Sequence, residues 1–331
     1  MGTSRPGHGT MITATTTIRP DPSDDGFRHE ALLYAGADEF VTGTAAFIRD
    51  GLTGGEPTLV VVSATKIALL RDELGCDARH VQFADMADVG RNPARIIPAW
   101  RAFVDERPVG DGRLRGVGEP IWSGRSAAEL VECQRHESLL NVAFEGREAW
   151  SLLCPYDVDT LDDSVIDEAR ASHPYVREAG RTRTSPHYRG TEASAAPFAE
   201  PLPEPPVTAL QVPFGVRTLK ATREVVARFA TDAGCGARRA ADLVVAVNEI
   251  TTNSLLHAGG DGMLRLWQDG DTLIAEVQDR GRLDDPLVGR ARPAPEQENG
   301  RGLWVANQLC ELVQVRAVAT GTVVRLHARR R

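Results

Sequence analysis

Along the first half of the chain, short apolar runs alternate with stretches whose apolar residues recur at helical spacing. The runs ALLYA (31–35), TLVVVS (58–63), HVQF (80–83), LRGVG (114–118) and AWSLLC (149–154) are too short for helices. Their continuous apolarity reads as strands buried on both faces. Between them, 38–52, 65–74, 94–106 and 126–142 repeat apolar positions every three or four residues, and a further helix is expected over 163–171. This alternation predicts an α/β, doubly wound, mainly parallel sheet over residues 27–176, with a ligand crevice beyond the carboxyl ends of its strands.

The pattern breaks at two places. Residues 1–26 are rich in Thr, Pro, Asp and Gly and lack the apolar stretch of a signal peptide, so a disordered tail is expected there. Residues 177–206 carry many Pro, Ala, Ser and Glu without a repeating apolar face; this composition predicts a flexible linker. Beyond it the order differs: two helical stretches (214–233 and 237–257) are followed by strands at 263–268 and 272–278. Asp269-Gly270 marks a hairpin between those strands. A loop at 282–299, a helix at 302–311 and a strand pair at 312–318 and 322–328 complete the segment. Residues 207–331 are thus expected to form an α+β sandwich, with helices on one face of a mixed sheet.

Charge and cysteine content narrow the setting. A formal net charge of −8 argues against direct nucleic-acid binding, which needs a basic surface. No apolar run approaches the length of a membrane span, so no membrane partner is expected. Cys76, Cys133, Cys154, Cys235 and Cys310 are odd in number and contain no C-x-x-C, which fits buried thiols in a reducing cytoplasm.

Three clusters in the second half carry chemistry. In ADLVVAVNEITTNSLLHA, Glu249, Asn253 and His257 are spaced four apart and share one helix face. A carboxylate one turn before an Asn can orient a water or hydroxyl beside an oxygen-coordinated Mg²⁺; an exposed polar stripe has the same pattern. In VQDRGRL at a strand end, Asp279 is placed to accept from a purine exocyclic amine, and Gly281 lets the chain turn close to the base. In ENGRGLWVANQL, Gly300 and Gly302 open a helix whose free N–H groups suit phosphate oxygens. Alone, each of the last two is also an ordinary turn or helix start.

In this order, on a helix, a strand end and a loop–helix junction, the three resemble the boxes of the GHKL superfamily, with its Bergerat-type ATP-binding fold. The resemblance implies ATP and Mg²⁺ as cofactors, Glu249 as catalytic base and Asn253 as the Mg²⁺ ligand. It further implies Asp279 and Gly281 as the adenine site, and Gly300, Arg301, Gly302 and Leu303 as the phosphate cradle. Residues 283–299 would be the ATP lid. One position departs: the family's D-x-G-x-G ends here in Leu283, which bears on the lid hinge and on transfer. E-I-T-T-N-S-L-L-H-A and G-R-G-L-W look most like anti-sigma-factor serine kinases. These phosphorylate Ser or Thr on an antagonist protein and bind a sigma factor. A non-catalytic module that sequesters such a partner stays open. A histidine kinase would need a phosphoacceptor histidine on a helical hairpin just before the ATP domain, and His29 and His136 do not supply one.

The N-terminal half carries HEALLY, GEPTLVVVS, GEPIW, HESLLN and LCPYD, and is similar to the MEDS domain, a sensory module for small organic ligands. His29, Tyr34, Glu119, Trp122, His136 and Tyr156 are the candidate contacts; each would be equally at home in ordinary packing. The expected protein is a cytoplasmic ligand-sensing switch kinase, with dimerisation left open.

Overall fold

The computed structural model describes residues 26–106, 112–146, 149–193, 200–283, 285–293 and 301–330. The tail up to residue 25 and Gly300 lie outside them, as does part of the segment expected to be linker and of the expected lid. In the N-terminal half the apolar runs become β1 (Phe27–Tyr34), β2 (Thr58–Val62), β3 (Val81–Asp85), β4 (Leu114–Gly118) and β5 (Trp150–Asp157). The helices are α1 (Gly36–Thr53), α2 (Ala64–Leu74), the single turn α3 (Met86–Val89), α4 (Ile96–Asp105), α5 (Ala127–Ala143) and α6 (Asp163–Ser172).

The strand order is β3-β2-β4-β5-β1-β6-β7, parallel except for the last pair. Successive residues of β1 feed opposite cores. Ala31 and Leu33 join Trp100, Leu140 and Ile166 under α4, α5 and α6, while Leu32 and Tyr34 join Phe40, Ile48 and Leu70 under α1 and α2. Burial on both faces is what a run such as Val60-Val61-Val62 requires. The two glycines of LRGVG make room for an aromatic side chain. A Cβ on Gly116 or Gly118 would stand 3.0 or 2.8 Å from the Trp100 ring.

The sheet continues past residue 176. β6 (Tyr175–Glu178) lies parallel to β1, and β7 (Arg181–Thr184) pairs antiparallel with β6 inside the segment expected to be linker. Arg177 and Thr182 both donate to Glu30 Oε1, at 2.6 and 2.8 Å, so polar side chains rather than an apolar face fasten this hairpin to β1. A short helix, α7 (Gly190–Ala193), follows.

In the C-terminal half, β8 (Leu210–Gly215) comes first, where no strand was expected. It is followed by α8 (Leu219–Asp232), α9 (Ala237–His257), β9 (Asp261–Asp269), β10 (Thr272–Asp279), α10 (Arg301–Leu309), β11 (Leu312–Val318) and β12 (Gly321–Arg329). The sheet order is β11-β12-β10-β9-β8, and every pairing is antiparallel, not mixed as expected. Tight hairpins join β9 to β10 and β11 to β12, whereas α8 and α9 lie between the neighbouring strands β8 and β9, and α10 with β11 between β10 and β12. Leu243, Ala246, Val247 and Ile250 of α9 pack with Leu303 and Ala306 of α10 on Leu264, Ala275 and Leu326 of the sheet. No helix among the described residues is long and apolar enough to cross a membrane.

Candidate functional site

The apolar stripe of α9 faces the sheet, which turns Glu249, Asn253 and His257 toward its margin. There Asn253 and His257 line a cavity of about 300 Å³ together with Asp279, Gly281, Leu283 and Leu303. Asp279 ends β10. Its Oδ1 accepts from the Gly281 N–H at 2.8 Å and its Oδ2 from the Ser254 hydroxyl. Thr322 Oγ1 donates to Gly281 O at 2.7 Å, so the D-x-G turn is held from both sides. The Asp279 carboxylate has acceptor capacity left over after these two bonds.

The start of α10 closes the other end. Gly302 is buried against Asn253: a Cβ there would stand 2.5 Å from Asn253 Nδ2. The structure therefore brings together Asn253, Asp279, Gly281, Gly302 and Leu303. Glu249 is half-buried one turn before Asn253 and outside the cavity lining. Arg301 is exposed. Leu283, standing where a glycine was expected, is 37% exposed at the cavity rim.

Beyond Leu283 the loop runs into the N-terminal half. Leu287 packs against the core under α5 and Val288 against the core under α9. Arg290 is buried and pairs with Glu132 of α5 at 3.5 Å; Arg316 of β11 reaches the same carboxylate at 2.7 Å. Burial, then Arg135, pulls the Arg290 guanidinium down to about 10. Asn92 donates to Asn307 O and Cys310 O, both at 3.2 Å, and Asn307 Nδ2 donates to Gly289 O at 3.0 Å. A single polar seam thus joins α5, the loop and α10. It was not legible in the sequence, because its members lie far apart in the chain.

The six residues expected to sense a ligand fall into three places. Tyr34, at the end of β1, donates to Glu119 Oε1 at 2.8 Å just past the end of β4, and Lys66 contacts both. This group does sit at the carboxyl ends of the strands. Burial pushes the Glu119 carboxyl up, against the pull of Lys66, and it also pushes the Tyr34 phenol up. Trp122 stands apart, 36% exposed, with Arg125 stacked 3.9 Å from its ring centre.

His29 and Tyr156 on the sheet face beneath α5, and His136 on α5 itself, gather around Glu137. The Ser126–Glu129 capping box starts that helix, with both reciprocal bonds present. Burial, then the neighbouring His173, lowers the His29 imidazole to about 4; burial lowers that of His136 to about 3. Sequence reasoning did not pick out Glu137, Cys154 or His173 as site residues.

Residues 28–174 match the family described as MEDS: MEthanogen/methylotroph, DcmR Sensory domain. Residues 212–328 match the histidine kinase-like ATPase domain. A comparison with curated proteins returns no match. The chain carries a MEDS sensory domain followed by a histidine kinase-like ATPase domain.

Proposed function

We propose that this protein is an ATP-dependent regulatory switch whose C-terminal domain transfers phosphate to a Ser or Thr of a partner protein such as an anti-sigma antagonist. The observation that carries the reading is the contact of the Asn253 amide with Gly302. It sets a Mg²⁺-type oxygen ligand against the helix start that would hold phosphates, beside a carboxylate suited to an adenine amine. Mg-ATP, when bound, supplies the phosphoryl group. Asp279 holds the base, Asn253 and the α10 amides orient the phosphates, and Glu249 takes the proton of the attacking hydroxyl. The sensory domain would act through the seam: Arg290 on the expected lid is held by Glu132, one turn from His136 on α5.

Histidine phosphorylation fits the structure poorly. His29 and His136 are 0% and 1% exposed, out of reach of any active site. A second reading, a non-catalytic module that sequesters its partner, is favoured by Leu283 at the lid hinge.

The experiment is to incubate the full chain, labelled ATP and Mg²⁺ with candidate antagonists. Acid-stable label on the partner, slowed about 10²–10⁴-fold in Glu249→Gln with nucleotide affinity intact, is the expected result. Acid-labile label on this chain overturns the reading in favour of a histidine kinase. No label with ATP binding intact leaves the sequestering module.

A further inference from the structure

Four side chains from four elements of the MEDS domain converge beneath α5. His29 comes from β1, Glu137 from α5, Cys154 from β5, and His173 from the turn after α6. One donor atom from each lies within 4.8 Å of all the others, and all four residues are buried. Glu137 Oε2 stands 3.2 Å from both His29 Nε2 and His173 Nε2, and Cys154 Sγ stands 3.3 Å from His29 Nε2. Yet neither Glu137 oxygen, nor His173 Nε2, has a partner in hydrogen-bonding geometry. A buried carboxylate left in that state is costly.

The partners of the two imidazoles settle which nitrogen faces the cluster. Asn141 donates its amide N–H to Ser172 O at 2.7 Å, which turns its carbonyl oxygen to His29 Nδ1 at 3.1 Å. His173 Nδ1 lies 2.8 Å from the Ala169 backbone carbonyl. Both acceptors require a proton on Nδ1, which in a neutral ring leaves the lone pair on Nε2, the nitrogen that borders the cluster. Outer hydrogen bonds of this kind fix the tautomer and ring angle of metal-binding histidines.

We infer that His29, Glu137, Cys154 and His173 bind one divalent transition-metal ion of the zinc type. A tetrahedron with metal–ligand bonds of about 2.1 Å has edges of roughly 3.4 Å, close to the 3.2 and 3.3 Å separations here. Two neutral imidazoles, a carboxylate and a thiolate carry two negative charges, which a 2+ ion neutralises in this buried place. Binding forms the metal–sulfur bond and releases the thiol proton to solvent. A set mixing sulfur, nitrogen and oxygen suits Zn²⁺ or Co²⁺ better than Mg²⁺ or Ca²⁺, which take oxygen ligands. The competing occupant is a proton: one imidazole charged, and paired with Glu137.

The test uses the full chain, stripped with a chelator and titrated with Co²⁺ alone, then with Zn²⁺ in competition. The expected result is one Co²⁺ per chain, with intense tetrahedral visible bands and a thiolate-to-cobalt charge-transfer band, both erased by Zn²⁺. Cys154→Ser should lose the charge-transfer band. Asn141→Ala, which touches no metal, should weaken affinity about 10- to 100-fold while leaving circular dichroism unchanged. Should Cys154→Ser fail to fold, X-ray absorption of the zinc-loaded wild type decides, with one sulfur among nitrogen and oxygen neighbours as the expected shell. A wild type that takes up no stoichiometric metal overturns the inference in favour of the proton. A charge-transfer band surviving in folded Cys154→Ser overturns it in favour of another cysteine.

Discussion

Replacing Gly302 by Ala adds one carbon where α10 presses on Asn253 at the cavity proposed to hold the nucleotide. The new Cβ would lie 2.5 Å from Asn253 Nδ2 and 3.1 Å from its Cγ and Oδ1, well inside the roughly 3.5–4.0 Å of an unstrained contact. The α10 backbone is anchored by Leu303 and Ala306 in the core, so the amide of Asn253 is what yields. The fold itself should not suffer. Alanine is favoured over glycine in a helix by about 0.5–1 kcal/mol, and the melting temperature should stay level or rise. Binding moves the other way. Losing an interaction between Asn253 and a charged group costs about 1.5–3 kcal/mol, or about 10- to 100-fold in Mg-ATP affinity. Calorimetric titration with ATP, run with and without Mg²⁺ beside thermal melts, reads both quantities. The deficit should shrink when Mg²⁺ is withheld. A variant that melts no lower and binds Mg-ATP as well as the wild type would refute the placement of Asn253 at the phosphates.

Three further outcomes follow from the same geometry. Asp279→Asn should weaken ATP about 10- to 100-fold while improving inosine triphosphate relative to ATP, because the amide can donate to a 6-oxo group; an unchanged preference in competitive titration removes Asp279 from the base. Glu132→Gln strips the counter-charge from Arg290 and Arg316 and should cost about 3–5 kcal/mol in denaturant melts. A loss below about 1 kcal/mol would show the seam to be solvated. Burial, then Arg325, lowers the His327 imidazole to about 4. The unfolded chain therefore binds the extra proton, so stability is full above about pH 6.5 and falls as pH drops toward 4. His327→Gln should flatten that decline by at most about 3 kcal/mol, and identical pH–stability curves would disprove the assignment.

Five strands and five helices of the sensory domain were legible because a parallel strand buried on both faces must be apolar throughout, as Val60-Val61-Val62 is. The β6–β7 hairpin escaped for the opposite reason. YVRE and RTRT bury little, and the Arg177 ion pair and the Thr182 hydrogen bond to Glu30 hold them. β8 carries Pro213 on a sheet edge and a mostly exposed face, so its sequence does not read as a strand. The residues around the α9–α10 cavity were legible as a group because each sits in a short local motif. The cluster beneath α5 was not: His29 and Asn141 are 112 positions apart, and His29 and Cys154 are 125 apart. Only the strand order brings them together.

That strand order also shapes how the chain leaves the ribosome. β1 is made first, yet it sits between β5 and β6, so both its edges stay unpaired until residues near 150 and 175 have been made. At about 5–20 residues per second, the wait for β5 alone is roughly 6–25 s. Throughout it the apolar run from Ala31 to Tyr34 is open to chaperones or to a neighbouring nascent chain. A slower stretch of translation upstream of β5 should therefore lower the yield of soluble protein, whereas one placed within the ATPase domain should not.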